Sequence, residues 1–304
     1  MSHVVGSVQF VTPSAVVGPD SGVAESSPNT WTLPFAHTPA PTGTKFLILH
    51  FANVQLPANH RLEVDLGYDT DVFTAEDGAD FWTRPVNVHA FGDGLVPIRY
   101  ITEGAATGSV TLDRYGRGER HAGEQDPSSL SNCDPFLGDA VYTEPIYDPL
   151  WFCNAPPHWE NVECIPVTDF RLPLARSVGM IVMIVMIDGS EHDPSIEIVS
   201  SCSVTLIDTD LVLTAGHCFE PTGEDARTAS VIFNYETACD GSRSGSYEGR
   251  FIKVQKQTAY RYDSGFDYCV HQLKTLPGLT PIPPRHDLPT VGEQVFGVHL
   301  PYGA

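Results

Sequence analysis

Apolar and polar positions follow a two-residue period through much of the first third of the chain. Arg61–Tyr68 (RLEVDLGY) alternates as a strand with one buried face does. Shorter runs at DVFTA, FWTRPVNVHAF, VPIRYI and GSVTLDRY repeat the signal between turn residues, at the spacing of an all-β domain. Lys45–Leu56 (KFLILHFANVQL) is apolar almost throughout and predicts a strand buried on both faces. These elements predict a β-sandwich over residues 35–118, of ordinary size for such a domain. Residues 1–34 contain the polar, turn-rich stretch GPDSGVAESSPNT and are expected to form a loose N-terminal segment.

The pattern changes after residue 118. Residues 119–170 are poor in strand signals and rich in Pro, aromatics and Cys, and we expect a connector pinned by disulfides. Val178–Ile187 (VGMIVMIVMI) then opens a second apolar series. Met180, Met183 and Met186 fall three apart, but the Ile and Val between them favour a strand over a helix. The methionines are expected in the core. Further on, Val204–Ile207 and Leu211–Leu213 are apolar runs separated by Asp208, Thr209 and Asp210, which predicts a β-hairpin. Cys202 and Cys218 stand at its two ends, where a hairpin brings the chain together and a disulfide is easily formed. Such a bridge would pin the small-residue corner that carries His217.

Charge and cysteine content narrow the picture. The 17 Lys and Arg against 38 Asp and Glu argue against nucleic acid or an anionic membrane as partner, because both need a basic face. The longest apolar run is too short to cross a bilayer. The seven cysteines include no paired C-x-x-C, so no zinc site is expected, and their scatter suggests an oxidising, extracellular compartment. Met1–Pro19 lacks the basic start and apolar run of a signal peptide. A metal site drawn from His192, His217, His271, His286 and His299 finds no H-E-x-x-H motif to support it. No metal and no cofactor are expected.

The stretch from Cys202 to Cys218 resembles the chymotrypsin-like serine peptidases. Cys202-Ser-Val-Thr-Leu, then Leu213-Thr214-Ala215-Gly216-His217-Cys218, reproduces that family's strand, turn and histidine corner with both cysteines in place. The resemblance implies that His217 is a general base, taking the nucleophile's proton and returning it to the leaving amine. It also implies a Cys202–Cys218 bridge. The family's acid heads an apolar strand, as Asp267 does before Tyr268, Cys269 and Val270. Its role is to fix the imidazole's tautomer and stabilise the imidazolium. Asp263 is the alternative acid, though it lacks the following strand. Phe233-Asn-Tyr235 with Cys239 close behind, and Gly297-Val-His299-Leu300-Pro301, resemble the lysyl endopeptidase branch. In that branch the pairing carried over would be Cys239 with Cys164. Cys269 is expected as a buried free thiol. The 35–118 segment, through Phe46-Leu-Ile-Leu-His50-Phe51, Leu56-Pro57-Ala58 and Asp113-Arg-Tyr115-Gly-Arg-Gly118, resembles the CUB-like or jelly-roll accessory domains of some secreted peptidases. An unrelated generic sandwich is the alternative.

These resemblances imply a fold class and a function. Residues 171–304 would form the N-terminal barrel of a trypsin-like peptidase domain. The Gly-Asp-Ser-Gly-Gly motif that carries the family's nucleophile does not occur, and no serine follows Asp267. The expectation is therefore the N-terminal portion of a secreted serine endopeptidase acting on protein or peptide substrates. Its serine, oxyanion hole and specificity pocket would come from a second barrel, and the chain would be inactive alone. The competing expectation is a non-catalytic peptidase homologue that serves as a binding module.

Overall fold

The computed structural model describes residues 3–39, 44–92, 94–103, 107–119, 162–187, 196–219, 225–234, 250–263, 265–293, 295 and 297–298. These residues build an all-β molecule. The strands are β1 (His3–Val17), β2 (Thr30–Ala36), β3 (Thr44–Ala52), β4 (His60–Asp65), β5 (Thr70–Phe73), β6 (Phe81–Trp82), β7 (Leu95–Thr102) and β8 (Val110–Glu119) in the first half. The second half holds β9 (Val178–Ile187), β10 (Ile196–Leu206), β11 (Leu211–Thr214), β12 (Ser230–Phe233), β13 (Ile252–Asp263) and β14 (Phe266–Leu273). A short helix, Arg171–Ala175, precedes β9. The expected connector lies largely outside the described residues, as does Cys239.

The second half closes on itself. β10, β11, β14, β13, β12 and β9 pair in that circular order, every pair antiparallel, which makes a closed six-stranded barrel. Closure leaves no strand edge within the ring. The barrel interior holds Ile181, Met183, Val204, Leu206, Val212, Val231, Val254, Cys269 and Leu273, all buried. The first half has two layers. β2, β7, β4 and β5 form one four-stranded sheet, and β1, β8, β3 and β6 extend the barrel's own sheet. Side chains from both layers, including Trp31, Phe51, Leu62, Ile98, Tyr100 and Leu112, share one core.

A third core joins the halves. Phe46 and Ile48 of β3 meet Met180, Val182 and Ile184 of β9, with Val199, Ile232 and Phe251. This explains the two unbroken apolar runs. β3 faces its own sheet partners' core on one side and the barrel on the other, and β9 faces the barrel interior and the first half, so each is buried on both faces. Met180 and Met183 point to opposite faces, and Met186 is exposed, so the three do not form a stripe. Gly116 of β8 makes the close approach possible. A Cβ there would lie 2.8 Å from Ile184 Cδ1 and 3.1 Å from Val199 Cγ2.

The N-terminal segment differs from the sequence expectation. Residues 1–34 were expected to be loose, yet His3–Val17 is a strand and β2 begins at Thr30. β1 pairs with β8 on one side and, through His3–Ser7, with β10 of the barrel on the other. The reason the pattern hides it is local. Gly6 and Pro13 interrupt the alternation, and the ladder to β8 breaks between Phe10 and Ala15, where Pro13 has no N–H to donate. What makes β1 a strand is the pair of edges it joins, more than ninety residues away in sequence.

Candidate functional site

The hairpin forms as the sequence predicts. β10 and β11 pair through Thr205–Leu213 and Leu206–Val212. The chain then turns into a single 3-10 turn, Gly216–Cys218, which holds His217. Three contacts fix this corner. Cys202 and Cys218 are bridged. The Thr214 hydroxyl donates to the Ser203 carbonyl at 2.8 Å. Gly216 lies so close to the β13–β14 hairpin that a Cβ would fall 2.4 Å from the Arg261 carbonyl oxygen and 3.1 Å from Asp267 Oδ1. Only glycine fits between Ala215 and His217.

Asp267 is the second residue of β14, which pairs with β11 beside the corner. Its carboxylate takes His217 at two points: Oδ1 accepts the His217 backbone N–H at 2.8 Å, and Oδ2 lies 2.7 Å from ring Nδ1. The structure thus joins the two residues that the sequence separates by fifty. Burial pushes the Asp267 carboxyl upward, but the hydrogen bonds from the His217 backbone and ring and from Gly216 outweigh it and hold the group below its usual range. An ionised carboxylate at Nδ1 places the ring's hydrogen there, so Nε2 carries the lone pair in the neutral ring. Both side chains reach solvent, with exposures of 28% for His217 and 41% for Asp267, so the pair sits at the mouth of the barrel. Asp263 is occupied elsewhere. It accepts the backbone N–H groups of Gly265 and Phe266 and the Arg261 guanidinium, which closes the turn between β13 and β14.

Tyr262, which the sequence reading passed over, stands edge-on to the His217 ring with centroids 6.2 Å apart. A hairpin reading of Asp263–Phe266 would have found it, because the register sets Tyr262 opposite Asp267. The next inward residues of β14 behave differently. Cys269 is a buried free thiol, as expected, and burial pushes it up to about 12. His271, also fully buried, lies with Nε2 3.2 Å from the Cys269 sulfur and its ring against Phe219, and burial pulls it down to about 4. Both are neutral at ordinary pH and serve as core. Cys164 is disulfide-bonded, but its expected partner Cys239 is not among the described residues. Among the described residues no three His, Cys, Asp or Glu side chains gather as metal ligands, and no helix is long and apolar enough to span a membrane.

Compared with protein-family models, the sequence matches none, and no curated protein is significantly similar to it.

Proposed function

We propose that His217 and Asp267 are the general base and orienting acid of a chymotrypsin-like serine endopeptidase, and that residues 171–304 contribute its first barrel. One observation carries this reading: a solvent-facing imidazole whose Nδ1 is held by an ionised carboxylate, on a corner fixed by a disulfide. An imidazole so held is set to take a proton at Nε2 and to be stabilised as imidazolium when it does. The nucleophile in this reading is a serine of a second barrel, which also supplies the oxyanion donors. The two-layered first half would be the CUB-like or jelly-roll accessory module, and the enzyme would be secreted. Tyr262 and Phe266, both more than half or about half exposed beside the pair, are suited to lie under a packed partner surface or a peptide.

The experiment is a fluorophosphonate labelling series. The 304-residue chain should not label. A longer polypeptide that adds a barrel with a Gly-Asp-Ser-Gly-Gly motif should label, and His217→Ala should abolish it. Labelling or peptide turnover by the 304-residue chain that disappears on His217→Ala would show a nucleophile within these residues and reject this assignment. A longer polypeptide that folds yet neither labels nor cleaves would favour the binding-module reading.

A further inference from the structure

A second histidine is held by carboxylates, at the junction of the two halves. His50 of β3 is almost fully buried, and both ring nitrogens meet an acid: Nδ1 lies 2.5 Å from Asp113 Oδ1 and Nε2 lies 2.8 Å from Asp80 Oδ1. Arg114, next to Asp113 on β8, completes the cluster. Its Nη1 lies 2.6 Å from Glu197 Oε2 on β10, so it reaches across to the barrel. The Trp82 ring of β6 packs on His50 at 4.5 Å and under the Arg114 guanidinium at 5.4 Å. The charged groups facing His50 are thus Asp80 from the loop before β6, Asp113 and Arg114 from β8, and Glu197, through Arg114, from β10.

Two of these contacts compete for one proton. Asp113 and Asp80 are both satisfied only if both ring nitrogens carry hydrogen. Yet Arg114 Nε–H also points at Nδ1, at 3.2 Å, and can donate there only to a bare lone pair. We propose that the proton on His50 Nδ1 is a latch for the junction between the halves. With the proton present, the imidazolium binds Asp113 and Asp80, repels the guanidinium, and leaves Arg114 to Glu197 and the barrel. When the proton leaves Nδ1, by way of Asp113, which is 28% exposed to water, Nε2–H keeps Asp80. Arg114 then donates to Nδ1 and closes on Asp113, whose other oxygen is already 3.8 Å from its Nε. Glu197 loses its share of the cation. A local charge change that biases two packings is how such switches act.

The test uses the full chain with ¹⁵N-labelled histidine, together with the emission of Trp82 taken as the difference from Trp82→Phe. As the pH is raised, His50 should pass from two ring N–H groups to one, losing the proton at Nδ1. The Trp82 difference signal should change with the same midpoint. Glu197→Gln leaves the ring untouched but removes the barrel's hold on Arg114. It should favour the neutral ring, so that at the parent's midpoint the imidazolium fraction falls at least twofold. His50→Gln should remove the pH dependence of Trp82, and Asp80→Asn is the substitute should that variant fail to fold, expected to favour the neutral ring as well. A His50 ring that holds one hydrogen at every pH would overturn the proposal. So would a midpoint unmoved by Glu197→Gln, or a proton lost without response from Trp82.

Discussion

Two places on one barrel strand, two to four positions apart, treat a histidine and its neighbour in opposite ways. At the mouth, Asp267 of β14 is ionised and grips His217. Inside, Cys269 and His271 of the same strand are neutral. The period of the strand does not separate them, since Asp267, Cys269 and His271 project to the same side. What differs is depth. At the mouth, water and three N–H groups offset the cost of charge. In the interior no described hydrogen-bond donor reaches His271 Nδ1, so burial strips the charge from the ring. Barrel depth, more than residue type, decides which pair can do proton chemistry.

The sharpest way to test this contrast is to damage each place by the same kind of change. Leu206 is fully buried in the barrel interior, whereas Phe266 at the mouth is half exposed. Leu206→Ala should cost about 4 kcal/mol through lost burial and a residual cavity. Phe266→Ala should cost less than about 1 kcal/mol. Urea unfolding of both variants checks the pair, and equal losses would break the comparison. Next in size is the bridge between the two places. Replacing Cys202 and Cys218 with alanine opens a loop with a sequence separation of 16, which should cost about 3 kcal/mol by the chain-entropy argument. Denaturation midpoints with and without reductant measure it.

How far was this contrast legible in the sequence? The hairpin, its bridging cysteines, His217 and Asp267 were readable because they are local: strand, turn and corner lie within twenty residues, and the acid heads its own strand. Cys269 was readable as a core thiol for the same reason. The first-half strands between Lys45 and Tyr115 showed themselves by alternation or, in β3, by an almost unbroken apolar run. β1 did not, because its partners are distant and Gly6 and Pro13 break its period. The His50 cluster was invisible. Asp80, Asp113, Arg114 and Glu197 are 30, 63, 64 and 147 positions away from it, and only sheet order brings them together. Nor could the sequence show that the two halves share a core, which hinges on β3 and β9 being buried on both faces.

Acid separates mouth and interior by window. His271 is held near 4 in the fold against an ordinary 6.5, so the unfolded chain binds a proton there that the folded chain refuses. Its contribution is intact above about pH 6.5 and is lost as the pH falls towards 4, by roughly 2 to 3 kcal/mol. His271→Leu should flatten the stability profile in that window. Asp267 acts lower. Its carboxyl is depressed in the fold, so its contribution is present above the ordinary carboxylate range and is lost only as the pH falls below it. Stability measured from pH 7 down to pH 3 in the parent, His271→Leu and Asp267→Asn should show the two losses in that order.

The smallest stability effect belongs to the residue given the largest chemical role. Asp267 is two-fifths exposed, so solvent screens its pairing with His217, and Asp267→Asn should cost less than about 1 kcal/mol. The ring should nevertheless change. An aspartate can only accept, which fixes hydrogen on Nδ1 and leaves Nε2 bare. The asparagine amide can instead donate to Nδ1, which moves the hydrogen to Nε2 and removes the acceptor that a nucleophile needs. The ¹⁵N signals of His217 should therefore exchange tautomer between parent and variant while the unfolding midpoint barely moves. A ring that keeps its tautomer in the variant would mean that the corner, through Gly216 and the Cys202–Cys218 bridge, holds the imidazole without the acid. Asp267 would then be a strand-end residue that happens to touch His217, and the contrast between mouth and interior would lose its chemical meaning.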